Sequence, residues 1–397
     1  MTFPIPVRRL VAAVAAALVS GLVACAPAWA EADVHFRGLL DMGLVSSVQG
    51  RALNQLTFGD SNLDPYRLRL VMDARLSPTL EVHVQTILHE GSGALRAELR
   101  ADGAYALWTP IPSRDVSLEA GKIPWPIGTY APRTYSDKNA LMGTPLMYQW
   151  RTGLLWNRPT ANGDSLVAVS GRGQLSPRQL YVPLVDERWW DSGAAVIGSW
   201  APFEFSGGVV QGSPSWPAPG ADNTPGLSIL GRVGVMPWPG VRVGVSGADG
   251  TWMPVSFERT LPTGKHLRDY HETSLMADAE FATGPLEVRG EAIRRRWETT
   301  TTGNLDATSG YLEGRWAFDN GTWLAVRGEA LRFSDVTTAA AVTRPWDDAV
   351  DRFEGVVGYR ITHDVRLKLG VQRTVRHPYS TARLTDDLLM ASLGFRF

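Results

Sequence analysis

Short turns and long polar connections alternate along the whole chain, and this rhythm restricts the possible folds more than any other feature of the sequence. Between the connections lie segments in which apolar and polar residues alternate with a period of two, as they do in a β-strand. The short connections are rich in Gly, Pro, Asn and Asp, can each close a hairpin, and lie at 77–79, 109–115, 157–164, 200–204, 237–240, 283–285, 319–322 and 362–364. The long connections include 45–65, 124–145, 171–192, 213–225, 250–269 and 335–349.

Eight short turns and nine long loops join about 18 strands and place both chain ends on the side that carries the short turns. Sixteen strands remain possible, because 103–108 and 157–172 are weak strand candidates. A soluble sandwich has no reason to show this asymmetry, whereas transmembrane β-barrels of bacterial outer membranes have short periplasmic turns and longer external loops. The pattern therefore predicts an all-β fold, a transmembrane antiparallel up-and-down β-barrel, as a single domain over 31–397.

The side chains are sorted as such a barrel requires. Along the second predicted strand Arg67, Arg69, Asp73 and Arg75 alternate with apolar residues, so that one face is charged and the other is apolar. A soluble β-sandwich would show the same sorting. Five tryptophans favour the barrel, because they lie beside short turns, where a barrel has its interfacial aromatic girdle: Trp108, Trp156, Trp200, Trp238 and Trp323.

The N-terminus has the features of a secretory signal peptide. Arg8 and Arg9 precede an apolar run over 10–24, and Ala28 and Ala30 form an A-x-A cleavage site. The run is shorter than the ~20 residues that a transmembrane helix needs. We expect a signal peptide over 1–30, cleavage after Ala30 and transport to the outer membrane. The alternative is a lipoprotein, because the sequence LVAC at 22–25 would make Cys25, the only cysteine, a lipidation site.

Charge and motifs exclude several other functions. Removing the leader takes two of the 39 basic residues and none of the 40 acidic ones, and a net charge near −3 argues against binding to nucleic acid. The seven histidines are scattered, and the sequence has no G-x-S-x-G, P-loop or C-x-x-C-H motif. We therefore expect no enzymatic activity, no metal site and no cofactor.

The chain ends in mid-alternation, without a tail. In MASLGFRF the apolar residues Leu393, Phe395 and Phe397 lie on one side of the pattern. We expect this last strand to pair with the first strand around 34–45, because closing the barrel would hold the terminus by hydrogen bonds on both sides. The segment resembles the C-terminal signal of bacterial outer-membrane proteins. That resemblance implies that Phe395 and Phe397 are read by the barrel-assembly machinery.

The segment GKIPWPIGTYAPRTYSDKNALMGTPLMYQW, at 121–150, is too rich in Pro and Gly for a sheet. It is expected either to fold inward and constrict a pore, through Lys122, Arg133, Asp137 and Lys138, or to pack at the rim. Its first residues resemble the Gly-Lys-x-x-x-Pro-Phe-Gly segment of the phosphate- and polyphosphate-selective porin family, with Ile127 in place of Phe. The resemblance implies an outer-membrane channel.

A dedicated phosphate channel is disfavoured, because the family's anion conduction depends on Lys and Arg, and this chain has only four lysines. Alternation predicts a lumen lined by Arg37, Arg67, Arg69, Asp73, Arg75, Glu119, Arg232, Arg289, Arg315, Arg327, Arg352, Arg366 and Lys368, among other Arg and acidic residues. Bases and acids nearly balance, and some of them would pair across neighbouring strands.

These observations predict a porin for passive diffusion of small hydrophilic solutes or ions, with weak charge selectivity. Its expected partners are outer-membrane lipid and the assembly machinery, and a homo-oligomer is possible. The alternative is a structural barrel around a periplasmic partner, such as an electron-carrying haem protein. That alternative arises because a wide barrel is open unless something fills it.

Overall fold

A computed structural model describes residues 33–46, 66–90, 97–156, 162–172, 181–186, 190–215, 226–379 and 382–397. The predicted signal peptide over 1–30, with its cleavage site and Cys25, lies outside these residues, as does most of the predicted loop over 45–65. Within the described ranges, no helix is long and apolar enough to cross a membrane.

Sixteen antiparallel strands form a closed barrel. They are β1 (Asp33–Val45), β2 (Tyr66–Ser77), β3 (Leu80–Glu90), β4 (Ala97–Trp108), β5 (Val116–Pro124), β8 (Trp190–Trp200), β9 (Phe203–Val210), β10 (Ser228–Trp238), β11 (Val241–Thr251), β12 (His271–Thr283), β13 (Leu286–Glu298), β14 (Asn304–Ala317), β15 (Thr322–Phe333), β18 (Ala349–Arg360), β19 (Val365–His377) and β20 (Leu384–Arg396). Each strand pairs with its neighbours in chain order, and β20 pairs with β1. The up-and-down barrel predicted from the sequence is confirmed.

Short turns and long loops lie at opposite ends of the barrel, which we call the turn end and the loop end. Seven of the eight predicted turns join consecutive barrel strands, for example Ser77 to Leu80 and Trp238 to Val241. The strand count is therefore sixteen, the lower of the two numbers that the sequence allows.

The predicted turn at 157–164 accounts for the two missing strands. The residues described there form a short helix, Gly163–Ala168. Asn162 caps its N-terminus, because its side-chain oxygen accepts a hydrogen bond from the amide of Ser165. Strand β6 (Arg151–Leu155) pairs only with β7 (Tyr181–Pro183), and β5 pairs directly with β8. Most of β6 and all of β7 are buried, so this segment lies inside the barrel instead of forming its wall.

The outer surface is apolar and carries aromatic residues at the turn end. Phe36, Ile229, Leu312 and Leu389 are each more than 60% exposed, as expected of side chains that face lipid. Trp108, Trp200 and Trp238 occupy the predicted girdle and are also exposed. The other two tryptophans do not, because Trp323 is buried inside the barrel and Trp156 packs against its interior core.

The interior contains a hydrophobic core on the side formed by β5 to β18. In the loop-end half, inward-facing apolar side chains of the wall, such as Leu230, Ile293 and Leu331, are buried against the connection between β5 and β8. The same core includes residues of two other loops, with Trp252 in one and Trp346 in the other. The smaller elements of these connections are a helix, Leu146–Gln149, three 3-10 helices, Ala131–Arg133, Val255–Thr260 and Leu267–Asp269, and the hairpin of β16 (Asp335–Thr337) and β17 (Thr343–Pro345).

Candidate channel and its inner loop

The connection from β5 to β8, which we call the inner loop, folds into the barrel and lies against the wall of β12 to β19. Acidic side chains of that wall accept hydrogen bonds from the loop backbone. Glu354 accepts the amides of Met142 and Gly143, both at 2.7 Å, and Glu329 accepts the amide of Leu146 at 2.5 Å. Glu291 accepts the hydroxyl of Thr129 at 2.8 Å. Because these carboxylates are largely buried, each hydrogen bond replaces water that the carboxylate has lost.

Basic side chains of the wall donate to the carbonyls of the same loop. The Nζ of Lys368 donates to the carbonyl oxygens of Ser136, Asn139 and Leu141, at 3.0, 2.6 and 3.1 Å. An ammonium has three donors, so these contacts saturate it.

Arginines of the wall also donate to other carbonyls of the loop. Arg327 donates to Gly143 at 2.9 Å, Arg352 to Thr144 at 3.3 Å and Arg366 to Asp137. Arg67 donates to the carbonyl of Thr134 at 3.3 Å, so five of the predicted pore-lining cations, Lys368 included, bind carbonyls of the loop directly.

The closest approach of loop and wall is at Gly143. A Cβ placed on this residue would lie 2.8 Å from the amide nitrogen of Gln372 and 3.2 Å from a guanidinium nitrogen of Arg327, and closer still to Glu354. Such distances are far below an ordinary van der Waals contact. Glycine lets the loop backbone approach the charged wall this closely, because any larger residue here would have to displace the ends of these side chains.

Two loop side chains complete the docking. Arg133 donates to Glu313 at 2.6 Å and to the hydroxyl of Tyr311 at 3.2 Å, and its guanidinium lies over the ring of Tyr130. On the opposite wall, the guanidinium of Arg69 lies 4.0 Å from the centre of the Tyr135 ring.

Arg67 lies over the same ring at 5.1 Å and pairs with Asp41 at 3.1 Å. The stretch over 129–135 therefore spans the lumen, because it contacts β13 and β14 on one side and β2 on the other.

The other predicted lumen residues face inward, and most of them are paired. Arg232 forms a bidentate pair with Asp278, Arg289 lies 3.2 Å from Glu287, and Arg315 donates to Glu287 at 2.9 Å. Glu119 is buried and lies on β5. Near the turn end, Arg37 contacts Asp73 and Arg75 contacts Glu81, but both arginines stay more than 60% exposed. Arg37 and Arg75 are thus the most accessible bases of the predicted set.

Two residues predicted for the constriction lie elsewhere than the loop interface. Lys122 is part of β5 and faces the outside of the barrel, where its ammonium donates to the carbonyl of Ala101. Lys138 is in the inner loop, where its side chain is exposed. Asp137 and Arg366 line a small pocket below the loop, at the turn end, together with Arg396.

A carboxylate at the loop end joins two of the loops. Asp347, just before β18, accepts the amides of Gly153 at 2.6 Å and Gly171 at 2.7 Å and the hydroxyl of Ser170 at 3.2 Å. It lies outside the spanning strands and is fully buried. Burial raises the pKa of Asp347 to about 6, although the backbone amides, which favour the charged form, act in the opposite direction.

Sequence reasoning missed the apolar interior. Trp297 and Trp346 are fully buried, and their rings meet edge to face. Neither residue lies beside a short turn, so both are outside the predicted girdle, and that position was a usable signal of an interior core. Among the described residues, no group of three or more His, Cys, Asp or Glu side chains is arranged to hold a metal ion.

No protein-family model matches the sequence, and a comparison with curated protein sequences finds no match. Solved structures do resemble it. OmpF of Salmonella typhi, in complex with daunomycin, has a TM-score of 0.57 and 9% identity, over 94% of this chain and 99% of that one. An anion-selective porin from Comamonas acidovorans has a TM-score of 0.56 and 11% identity, over 92% and 99%. The trimer form of OmpT, an outer membrane protein of Vibrio cholerae, has a TM-score of 0.52 and 11% identity, over 92% and 99%.

These similarities concern the fold. The closed sixteen-strand barrel is the fold of bacterial outer-membrane porins, and the predicted resemblance to porins holds at this level. The alternative of a barrel that sheathes a haem protein finds no support, since the chain's own inner loop packs against the interior wall.

Proposed function

We propose that this chain is a porin of the bacterial outer membrane, through which small hydrophilic solutes and ions diffuse passively past the inner loop. The observation that carries the proposal is the combination of an apolar outer surface with a charged interior that a long loop narrows. An apolar outside suits lipid, and a charged inside suits water. The short turns would then face the periplasm and the long loops the cell exterior.

The proposed conducting path is inferred from the parts of the barrel interior that loop and wall side chains occupy. The main core of the loop-end half lies on the side of β5 to β18, and two smaller clusters join the inner loop to β20 and β1 and to β1 and β3. The path is expected along the part of the wall of β19, β20 and β1 to β4 that these clusters leave uncovered. At the turn end this wall presents the exposed guanidiniums of Arg37 and Arg75. In the middle it presents Arg67 and Arg69 against the ring of Tyr135. Tyr135 itself packs against this wall, where its hydroxyl contacts Gln85. The path is therefore proposed to run beside this contact and to be narrowest there.

Weak charge selectivity is expected, because bases and acids of this wall lie side by side. Arg67 pairs with Asp41, Arg37 with Asp73, and Arg75 with Glu81. Adjacent opposite charges leave little net field, and salt screens fixed charges beyond ~8 Å at physiological ionic strength. We propose no enzymatic reaction and no cofactor. Assembly through the C-terminal signal at Phe395 and Phe397, and self-association like that of the OmpT trimer, are further parts of the proposal.

Single-channel recording in a planar bilayer tests the function. The purified, folded protein should give discrete conductance steps, and the reversal potential in a salt gradient should lie near zero. Replacing both exposed arginines, Arg37→Glu and Arg75→Glu, should shift it toward cations. The matched control is Arg114→Glu, in an exposed turn, which should shift it less. An absence of conductance at any salt concentration would contradict the channel, and a steep anion preference that saturates with phosphate would contradict weak selectivity.

A further inference from the structure

Three arginines project outward on neighbouring strands at the loop end of the barrel. By strand alternation, Arg294 and Arg296 on β13 and Arg332 on β15 share the outer face with the exposed Leu312. Their carboxylate neighbours are Asp306 on β14 and Asp351 on β18. We call these five residues the arginine arc. The five residues carry three positive and two negative charges, and Glu298, at the next outward position of β13, is a further carboxylate near Arg296.

The depth of the arc matches the edge of the lipid-facing surface. Outward positions of β14 run from Trp316 at the turn end, through Leu312, to Asp306, ten residues further along. At ~3.4 Å per residue and a strand tilt near 40°, ten residues rise about 26 Å, close to the height of the apolar band of outer-membrane barrels. In the proposed membrane placement, the neighbours of the arc are lipid headgroups of the outer leaflet.

The arc keeps hydrogen-bond donors for a ligand. Arg294 and Arg296 share the single carboxylate of Asp306, at 3.1 and 2.7 Å, and their side chains are 61% and 40% exposed. A guanidinium has five N–H donors, and the one hydrogen bond described for Arg294 uses one of them. Two neighbouring guanidiniums suit the oxygens of a phosphate group better than a single ammonium would.

Outward charged residues continue on β19 and β20, where the exposed Arg373 pairs with Asp387, but other parts of the described rim differ. At the loop ends of β1, β4, β9 and β10, the outward positions are the apolar residues Leu44, Leu99, Val209 and Ile229. None of these side chains can bind phosphate. The feature is therefore a property of one side of the barrel, and not of the whole rim.

We propose that the arginine arc binds the phosphate group of an outer-leaflet lipid, whose acyl chains lie along the apolar surface below Asp306. The inference rests on the proposed membrane placement and deepens it by naming a lipid contact. The phosphate lies between Arg294 and Arg296, and Arg332 adds a third positive charge. Asp306 orients the two guanidiniums but competes with the phosphate for their donors.

The test measures lipid that the folded protein retains. Protein in detergent is incubated with mixed vesicles of phosphatidylcholine and phosphatidic acid, re-purified by size exclusion, and analysed for bound phosphatidic acid. Loss of charge-assisted hydrogen bonds to phosphate should lower retention by about tenfold in Arg294→Gln/Arg296→Gln. Arg114→Gln, at the opposite end, should retain as much as the wild type. Asp306→Asn, which removes the competing carboxylate, should retain more.

The opposite results would overturn the proposal. Unchanged retention in the double variant, or an equal loss in Arg114→Gln, would show that retention does not depend on the arc. Reduced retention in Asp306→Asn would contradict the competing role of that carboxylate. Displacement of the lipid by an equal concentration of inorganic phosphate would show that soluble phosphate, not lipid, is the ligand. Heat-modifiable mobility confirms that each variant is folded.

The readout also separates this proposal from the channel function. The arc lies outside the lumen, so the variants should conduct as the wild type does. A protein that retains the lipid but gives no conductance would contradict the channel alone.

Discussion

Phe397 and Gly38 exchange both of their backbone hydrogen bonds, and the ring of Phe397 lies on Gly38 in the space that a side chain would occupy. The amide of Gly38 donates to the carbonyl of Phe397 at 2.7 Å, and the amide of Phe397 donates to the carbonyl of Gly38 at 3.0 Å. A Cβ on Gly38 would overlap the ring. Phe397 therefore extends the pairing of the last strand with the first strand, which closes the barrel. Gly38 has no side chain, which leaves room for the ring of Phe397.

Deletion of Phe397 should impair assembly. It removes two backbone hydrogen bonds at the closing seam, together worth about 1–3 kcal/mol, as well as the end of the predicted signal. The folded, heat-modifiable form in outer membranes should decrease without a decrease in synthesis. The control is Leu369→Ala, which truncates an exposed outer side chain far from the terminus. Normal assembly of the truncated chain would refute the role of this residue.

Enlarging Gly143 should displace the inner loop. Gly143→Ala places a methyl group against Glu354, Gln372 and Arg327, and overpacking of this kind costs about 1–3 kcal/mol. The matched control is Gly314→Ala, because a Cβ at Gly314 meets no atom within 4 Å. We expect a lower unfolding temperature and an altered single-channel conductance for Gly143→Ala only. Equal behaviour of the two variants would contradict tight docking.

Removing the charge of Lys368 should loosen the same loop by another route. Lys368→Met keeps the length of the side chain but leaves three loop carbonyls without their donor. Hydrogen bonds to charged groups are worth about 1.5–3 kcal/mol, so thermal stability should fall and conductance should rise. Arg373→Met is the control, since Arg373 is exposed on the outer face, where it pairs with Asp387. A stable variant with unchanged conductance would argue against the role of Lys368 in holding the inner loop.

The stability of the loop-end core should depend on pH through Asp347. Its pKa is raised from 3.8 to about 6 by burial. A carboxyl with a raised pKa in the folded state stabilises the fold below about pH 4, and this contribution is lost as the pH rises through 6. The difference of about two units corresponds to roughly 3 kcal/mol. The unfolding temperature of the wild type should therefore fall between pH 4 and 7.

The variant Asp347→Asn should flatten this slope, because its side chain cannot ionise. Asp319→Asn, in a short turn at the other end of the barrel, should keep the slope of the wild type. Thermal unfolding followed by circular dichroism over this pH range gives both curves. Identical slopes for the wild type and Asp347→Asn would assign the pH dependence to another group.

The sequence by itself determined that the chain forms a barrel and which side chains face outward or inward. Strand periodicity, short turns and an apolar final strand are local properties, and alternation has only two possible faces, so the direction of each wall side chain was predictable. Arg67, Lys368 and Phe397 all lie on the side that their position in the pattern predicts. The sixteen-strand count needed the structure, because an extended segment such as Arg151–Leu155 has the same local pattern in the wall as inside it.

Only the tertiary structure decided what the inward-facing residues contact. The alternation pattern places both Arg327 and Arg37 on the face toward the lumen. However, Arg327 is fully buried against the inner loop, whereas Arg37 is 65% exposed. Likewise, the distance of Trp297 from the short turns places it outside the girdle, but only the tertiary structure shows which residues it contacts in the interior core. The physical reason is that loop docking depends on residues about 200 positions apart, such as Gly143 and Glu354. The contact between them forms because the barrel closes and because the buried carboxylate needs the amides of the loop as hydrogen-bond donors. Neither condition can be recognised in a short stretch of sequence.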